Sequence, residues 1–146
     1  MAEREATAVW QGGLMDGSGS FDVGSGAIPH QAVTWASRTE EPAGKTSPEE
    51  LIAAAHAACY AMALSYTLQN AGHAPERLTV TSQVGFGPKP GGGMQVTHSN
   101  LTVRGRVPGL DQAGFADLAR QGEQGCPVSN ALRNNVEINL EATLES

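Results

Sequence analysis

The sequence predicts a single domain that mixes strands with helices around a mainly aliphatic interior, and three observations predict it. The length of 146 residues suits one core, which at that size buries roughly 68–70% of the surface exposed by the unfolded chain. Glycine occurs 18 times against 2 Trp, 2 Tyr and 3 Phe, a composition rich in turns and poor in aromatic bulk. The apolar pattern also switches between strand-like and helix-like segments with no linker or repeat between them, and the Gly-rich stretches Gly12–Gly26 and Pro88–Gly93 read as loops.

Three short strands are expected first, around Thr7–Gln11, Ser20–Val23 and Gln31–Ala36, each low in helix propensity and bounded by Gly or Pro. A helix follows with the clearest signals in the chain. Ser47, Pro48 and Glu50 fit the N-cap, the first helical position and the capping-box carboxylate; Leu51–Leu68 contains no breaker, and Gly72 supplies an end. Leu51, Ile52, Ala53, Ala54, Ala55, Ala57, Ala58, Cys59, Ala61, Met62, Ala63 and Leu64 leave almost no polar face, so this helix should be buried nearly all round. A chain this small covers such a helix more easily with a second copy, which motivates a homodimer. Arg77–Phe86 and Gln95–Val107 read as paired strands joined by a loop too long for a two-residue turn. Asp111–Gln124 reads as a second helix with Asp111 as cap, and Cys126-Pro127 opens a short helical turn. The alternation of Val136, Ile138, Leu140, Ala142 and Leu144 with Glu137, Asn139, Glu141, Thr143 and Glu145 predicts a last strand with one buried and one wet face.

The net charge of -6 and the absence of any Lys or Arg run exclude the footprint of a nucleic-acid binder. The start, MAEREATAVW, is charged where a signal peptide needs an apolar core, and no stretch of 18 residues is wholly apolar, so a cytoplasmic chain without a membrane span is expected. His30, His56, His73 and His98 are scattered without zinc-site spacing, so no metal is expected at the two cysteines.

Cys59 lies within the apolar helix, where a lone thiol is ordinarily a small core hydrophobe. Cys126 differs, because Cys-Pro places its sulfur at a helix start, where unpaired N–H groups favour an anion. Cys59 is twelve positions beyond Ser47, past the reach of its own helix dipole, and needs a neighbouring cation. Arg38, in the polar stretch Ser37-Arg38-Thr39 before the helix, is the best placed, with Glu40 and Glu41 as competing partners for its charge. At 100° per residue Glu49 lies about 80° around the helix from Cys59 and Glu50 about 180°, yet the rise separates Glu49 from Cys59 by about 15 Å. Glu49 therefore acts through Arg38 or on a cysteine of another subunit. His56, one turn before Cys59, is within reach to be a base, but it reads as a satisfied core histidine and receives no catalytic role.

Two stretches carry a family resemblance. Thr46-Ser47-Pro48-Glu49-Glu50-Leu51-Ile52-Ala53-Ala54-Ala55-His56-Ala57-Ala58-Cys59 and Gly125-Cys126-Pro127-Val128-Ser129-Asn130-Ala131-Leu132 resemble the OsmC/Ohr family of osmotically induced and organic-hydroperoxide-resistance proteins. Arg38, in the pre-helix stretch, resembles the OsmC branch. The resemblance implies an α+β, OsmC-like fold, with antiparallel sheets around two central helices in an intertwined homodimer whose sites lie at the subunit interface. It implies that Cys59 is the peroxidatic thiol, Cys126 the resolving thiol, and Arg38 with Glu49 the pair that activates Cys59 and orients an organic hydroperoxide. Cofactors are not needed; the Cys59–Cys126 disulfide is reopened by an external dithiol such as a lipoyl group or a thioredoxin-like protein. Three other readings compete with this one. They are a dimeric binding protein for a lipid-like ligand, a thiol–disulfide exchange protein, which would lack its C-x-x-C motif, and a Cys/His metal site.

Overall fold

The computed structural model describes residues 1–145 and forms two compact units, Met1–Leu51 and Ile52–Ser146. The first holds an antiparallel three-stranded sheet in which β1 (Ala6–Gln11) pairs with β2 (Ser18–Val23) and β2 with β3 (Gln31–Val33). The expected strand Gln31–Ala36 stops at Val33, and a short helix α1 (Trp35–Thr39) begins instead. Its cause is a reciprocal cap: Thr34 Oγ1 accepts from the Ser37 N–H at 3.0 Å while Ser37 Oγ accepts from the Thr34 N–H at 3.0 Å. Ser37 Oγ also donates to the Thr46 carbonyl at 3.3 Å, tying α1 to the segment that leads into the next helix.

That helix, α2 (Pro48–Asn70), starts where the sequence predicts, with the Glu50 N–H donating to Ser47 Oγ at 3.2 Å. The Glu50 carboxylate, expected to complete a capping box, accepts instead from the Thr46 hydroxyl at 2.7 Å. At the other end Gly72 adopts a φ of 86°, and the amides of Gly72 and His73 close back on Gln69 and Leu68 as a Schellman cap. Length and composition would let α2 cross a membrane, but His56, Tyr60, Leu64 and Leu68 form a fully buried stripe at i, i+4 spacing that joins a packed core.

In the second unit β4 (Arg77–Pro88) pairs antiparallel with β5 (Met94–Arg106). After β5 come α3 (Gln112–Gln124), capped by Asp111 as predicted, α4 (Pro127–Leu132) and β6 (Glu137–Leu144). The helices carry the chain back so that β6 lies parallel to β5, opposing Leu101 to Leu140 and Val103 to Ala142. The second sheet is therefore mixed, a correction to the expected antiparallel sheets that holds for this one pairing. The alternation predicted for β6 is met, with Ile138, Leu140, Ala142 and Leu144 turned toward the core and the odd positions exposed.

The core joins Tyr60, Leu64 and Leu68 to Leu101, Val103, Phe115 and Ala119. Each buried Leu, Val or Phe among these contributes about 1.5–3 kcal/mol relative to exposure. Gly122 lets α3 come close, since a Cβ there would lie 3.0 Å from Leu64 Cα. The expectation that α2 is buried nearly all round is not met within one chain: Ala54, Ala58, Met62 and Tyr66 form a second i, i+4 stripe that is exposed, Met62 and Tyr66 at 69% each.

Candidate active site

In the second unit the tertiary structure brings the two cysteines together. Cys126 is the N-cap of α4 with Pro127 at the first helical position, and the fixed φ of proline launches the helix directly from the cysteine. The Cys126 thiol donates toward Cys59 Sγ at 3.5 Å, and both cysteines are free. Cys126 is fully buried, whereas Cys59 is partly accessible.

Both sulfurs meet the open amides of α4. The Ser129 N–H donates to Cys126 Sγ at 3.4 Å, and the Val128 backbone bonds Cys59. Burial pushes the Cys59 thiol up; the Val128 amide opposes this by favouring the thiolate, and the Cys126 thiol adds to the rise. The surroundings of Cys59 in this unit therefore favour the protonated thiol over the thiolate. The help from Val128 was not anticipated, because a reading of α2 alone cannot reveal the amides of a helix 67 residues away (59 to 126).

In the first unit Arg38 and Glu49 are brought together as expected. Arg38 Nη2 donates to Glu49 Oε1 at 2.8 Å, and Nε bridges both carboxylate oxygens at 3.1 and 3.2 Å. Glu49 is only 6% exposed, so its charge is held away from water by this guanidinium. The α1 helix presents Arg38 three residues after Trp35, whose ring lies 6.0 Å from the guanidinium carbon. Arg38 also lines a cleft of about 320 Å³ with Trp10, Leu14, Val33, Thr34, Trp35 and Pro48, so one charged group faces a mainly apolar space.

His56, expected to be a satisfied core histidine, is fully buried and bonded on both ring nitrogens: Nδ1 to Ser99 Oγ at 2.6 Å and Nε2 to Ser129 Oγ at 2.7 Å. Ser99 Oγ continues to Ser82 Oγ at 2.9 Å. Burial lowers the His56 pKa, Glu123 opposing and Arg133 adding to that effect, so the ring is neutral at neutral pH. The sequence carried a signal for this link in the Cys126-Pro127-Val128-Ser129 stretch, but nothing local paired Ser129 with His56. Among the described residues no cluster of His, Cys, Asp or Glu suits a metal ion.

An α+β fold with two free thiols in contact, one of them on a helix N-terminus, defines a thiol redox protein. The chain belongs to the OsmC-like protein family, whose model matches residues 41–141. It is 37% identical over 143 residues to the peroxiredoxin OsmC of Escherichia coli K12, covering 98% of this chain and 97% of that protein. An organic hydroperoxide resistance protein of Xanthomonas axonopodis pv. citri is 38% identical over 96 residues, 65% of each chain. Among solved structures, the organic hydroperoxide resistance protein of Elizabethkingia anophelis superimposes with a TM-score of 0.79 at 28% identity, covering 99% of this chain and 98% of that one. The OsmC protein of Legionella pneumophila does so with a TM-score of 0.74 at 25% identity, over 98% and 99%.

Proposed function

We propose that this chain is a cysteine-based peroxidase that reduces organic hydroperoxides, with Cys59 as the attacking thiol and Cys126 as the resolving one. The observation that carries the reading is the 3.5 Å approach of two free sulfurs far apart in sequence, one partly accessible and one buried. Accessible Cys59 is the sulfur a peroxide can reach; sheltered Cys126 is the one that waits. The names of the E. coli and Xanthomonas relatives support the substrate class.

The Cys59 thiolate attacks the distal peroxide oxygen, the O–O bond breaks as the S–O bond forms, and the departing alkoxide takes a proton and leaves as the alcohol. Cys126 sulfur then displaces hydroxide from the Cys59 sulfenic acid; the S–S bond forms, and the hydroxide leaves as water with the Cys126 proton. An external dithiol, lipoyl or thioredoxin-like, reopens the disulfide by two exchanges and is itself oxidised. Arg38 supplies the cation that the burial of Cys59 demands, and Glu49 orients the guanidinium. The apolar cleft beside Arg38 suits a hydrophobic peroxide better than hydrogen peroxide. A chemistry that begins and ends with reduced thiols fits the cytoplasm.

The reading includes one functional domain that works as a homodimer. The exposed stripe Ala54, Ala58, Met62 and Tyr66 gives a second copy an apolar face to cover, and β1, exposed throughout, offers Val9 and Trp10 in the same way. Sedimentation of an active, stable monomer at low micromolar concentration would remove the dimer.

The decisive experiment is steady-state turnover of cumene hydroperoxide against hydrogen peroxide, with dithiol and monothiol donors compared and the oxidised protein mapped by mass spectrometry. The expected result is faster turnover of the organic peroxide, a preference for dithiol and a Cys59–Cys126 disulfide. Absence of peroxide consumption would overturn the assignment.

A further inference from the structure

His56 lies three positions before Cys59 on α2, and the ring is fully buried in the second unit. A buried imidazole needs both nitrogens satisfied, and here one is bonded from β5 through Ser99 and the other from α4 through Ser129. Ser129 also donates its N–H to Cys126 Sγ, so a single residue contacts both the histidine and the sulfur. The far end of α4 is held differently: Arg133, its C-cap, donates to Glu123 at 2.9 Å and to Asn130 at 3.2 Å. The first turn has the His56 bond as its corresponding tie.

We propose that His56 is a positioning residue for disulfide closure: through the bond from Nε2 to Ser129 it pins the first turn of α4 to α2 and keeps the Cys126 sulfur within reach of Cys59. The inference rests on the two-cysteine reading above and adds a residue to it. Closure must bring the sulfurs from 3.5 Å to about 2.05 Å, a movement within the range of side-chain rotation as long as the backbone of Cys126 stays in place. Loosening α4 by about 1 Å spreads Cys126 over orientations that do not close, a loss of effective concentration that costs about 10-fold or more in rate. The histidine suits this task because both partners are hydroxyls, which donate or accept as the tautomer requires, so the tie holds without a buried charge.

The test separates the two ring edges. His56→Asn keeps a polar group near the Nδ1 position and loses the one at Nε2; His56→Gln does the reverse. Each protein receives one equivalent of cumene hydroperoxide, and the decay of the Cys59 sulfenic acid into the Cys59–Cys126 disulfide is followed by rapid quench with a sulfenic-acid trap and mass spectrometry. Closure is expected to slow about 10-fold or more in His56→Asn and in Ser129→Ala, with more trapped sulfenic acid, and to stay within about threefold of the parent in His56→Gln. Parent-like closure in Ser129→Ala and His56→Asn overturns the proposal, and so does equal slowing in the Asn and Gln variants, which would make the ring a packing element only. Should His56→Asn fail to fold, Ser129→Ala decides alone, since it removes a single hydroxyl. The parent protein distinguishes the two levels: if it consumes peroxide without forming the disulfide, the two-cysteine reading fails first.

Discussion

The two units differ in how they hold their polar groups. In Ile52–Ser146 the thiol pair rests on a dense core, and His56, Ser99 and Ser129 are fully buried with their partners. In Met1–Leu51, among the described residues, only Phe21, Ser37 and Glu49 are buried, and Glu49 depends on an arginine still 31% exposed. The thiol geometry is thus over-determined by packing, whereas the ion pair is held by a five-residue helix, its cap and its own hydrogen bonds. The contrast indicates that the spacing between the sulfurs is built into the core, whereas the ion pair proposed to activate Cys59 belongs to the more lightly packed unit.

The largest expected effect breaks the core side of that contrast. Cys59→Ser should reduce peroxide consumption to background with the fold intact by circular dichroism, because a neutral hydroxyl cannot replace the thiolate. Cys126→Ser should instead complete one rapid turnover and leave a trappable sulfenic acid, which a single-turnover assay detects.

Arg38 tests the lightly packed side. If Arg38 activates Cys59 as proposed, Arg38→Met removes that cation and should raise the Cys59 pKa, lowering the second-order peroxide rate at neutral pH about 10-fold or more. The sign is set by the thiolate, the reactive form: the rate should recover as pH rises. Arg38→Lys should rescue only partly, because an ammonium cannot reproduce the bridging contacts to Glu49. The pH profiles of all three proteins are the measurement, and superimposable profiles would uncouple Arg38 from Cys59.

Stability sharpens the comparison further. Leu64→Ala, at a fully buried position, should cost about 2–5 kcal/mol in denaturant unfolding. Val9→Ala, at a position 58% exposed, should cost less than about 0.5 kcal/mol for an isolated chain. A larger, concentration-dependent loss at Val9 would mark a surface covered by a second copy.

A pH-dependent effect concerns His56, whose pKa burial holds below the ordinary value of about 6.5. As pH falls below about 6.5 the unfolded chain takes up a proton that the native ring resists, so stability is lost until the folded pKa is passed. The slope from this group is at most about 1.4 kcal/mol per pH unit. Thermal unfolding should therefore fall less steeply in His56→Gln than in the parent on acidification from neutral pH.

The sequence by itself determined the elements whose causes are local. Ser47 and Pro48 start α2 and Gly72 ends it, Asp111 caps α3, Cys126-Pro127 opens α4, and the alternation from Ile138 to Leu144 makes a one-faced strand. Each signal lies within a few residues of its effect, where capping and periodicity operate. A local signal for α1 existed too, in Thr34 and Ser37, but serine in place of the usual Glu or Gln made the cap easy to pass over. The cysteine roles were read by family resemblance, whereas Arg38 and Glu49 were first linked by position and helical angle, with a cysteine of another subunit as the alternative, and the resemblance then made them a pair. Only the tertiary structure decided the parallel pairing of β5 with β6, the contact of Cys59 with Cys126 and the two serines that hold His56. These contacts join residues from different elements, and no short-range periodicity encodes them. They form because burying the common core of α2, α3 and the second sheet offsets the entropy of closing the long loops between them.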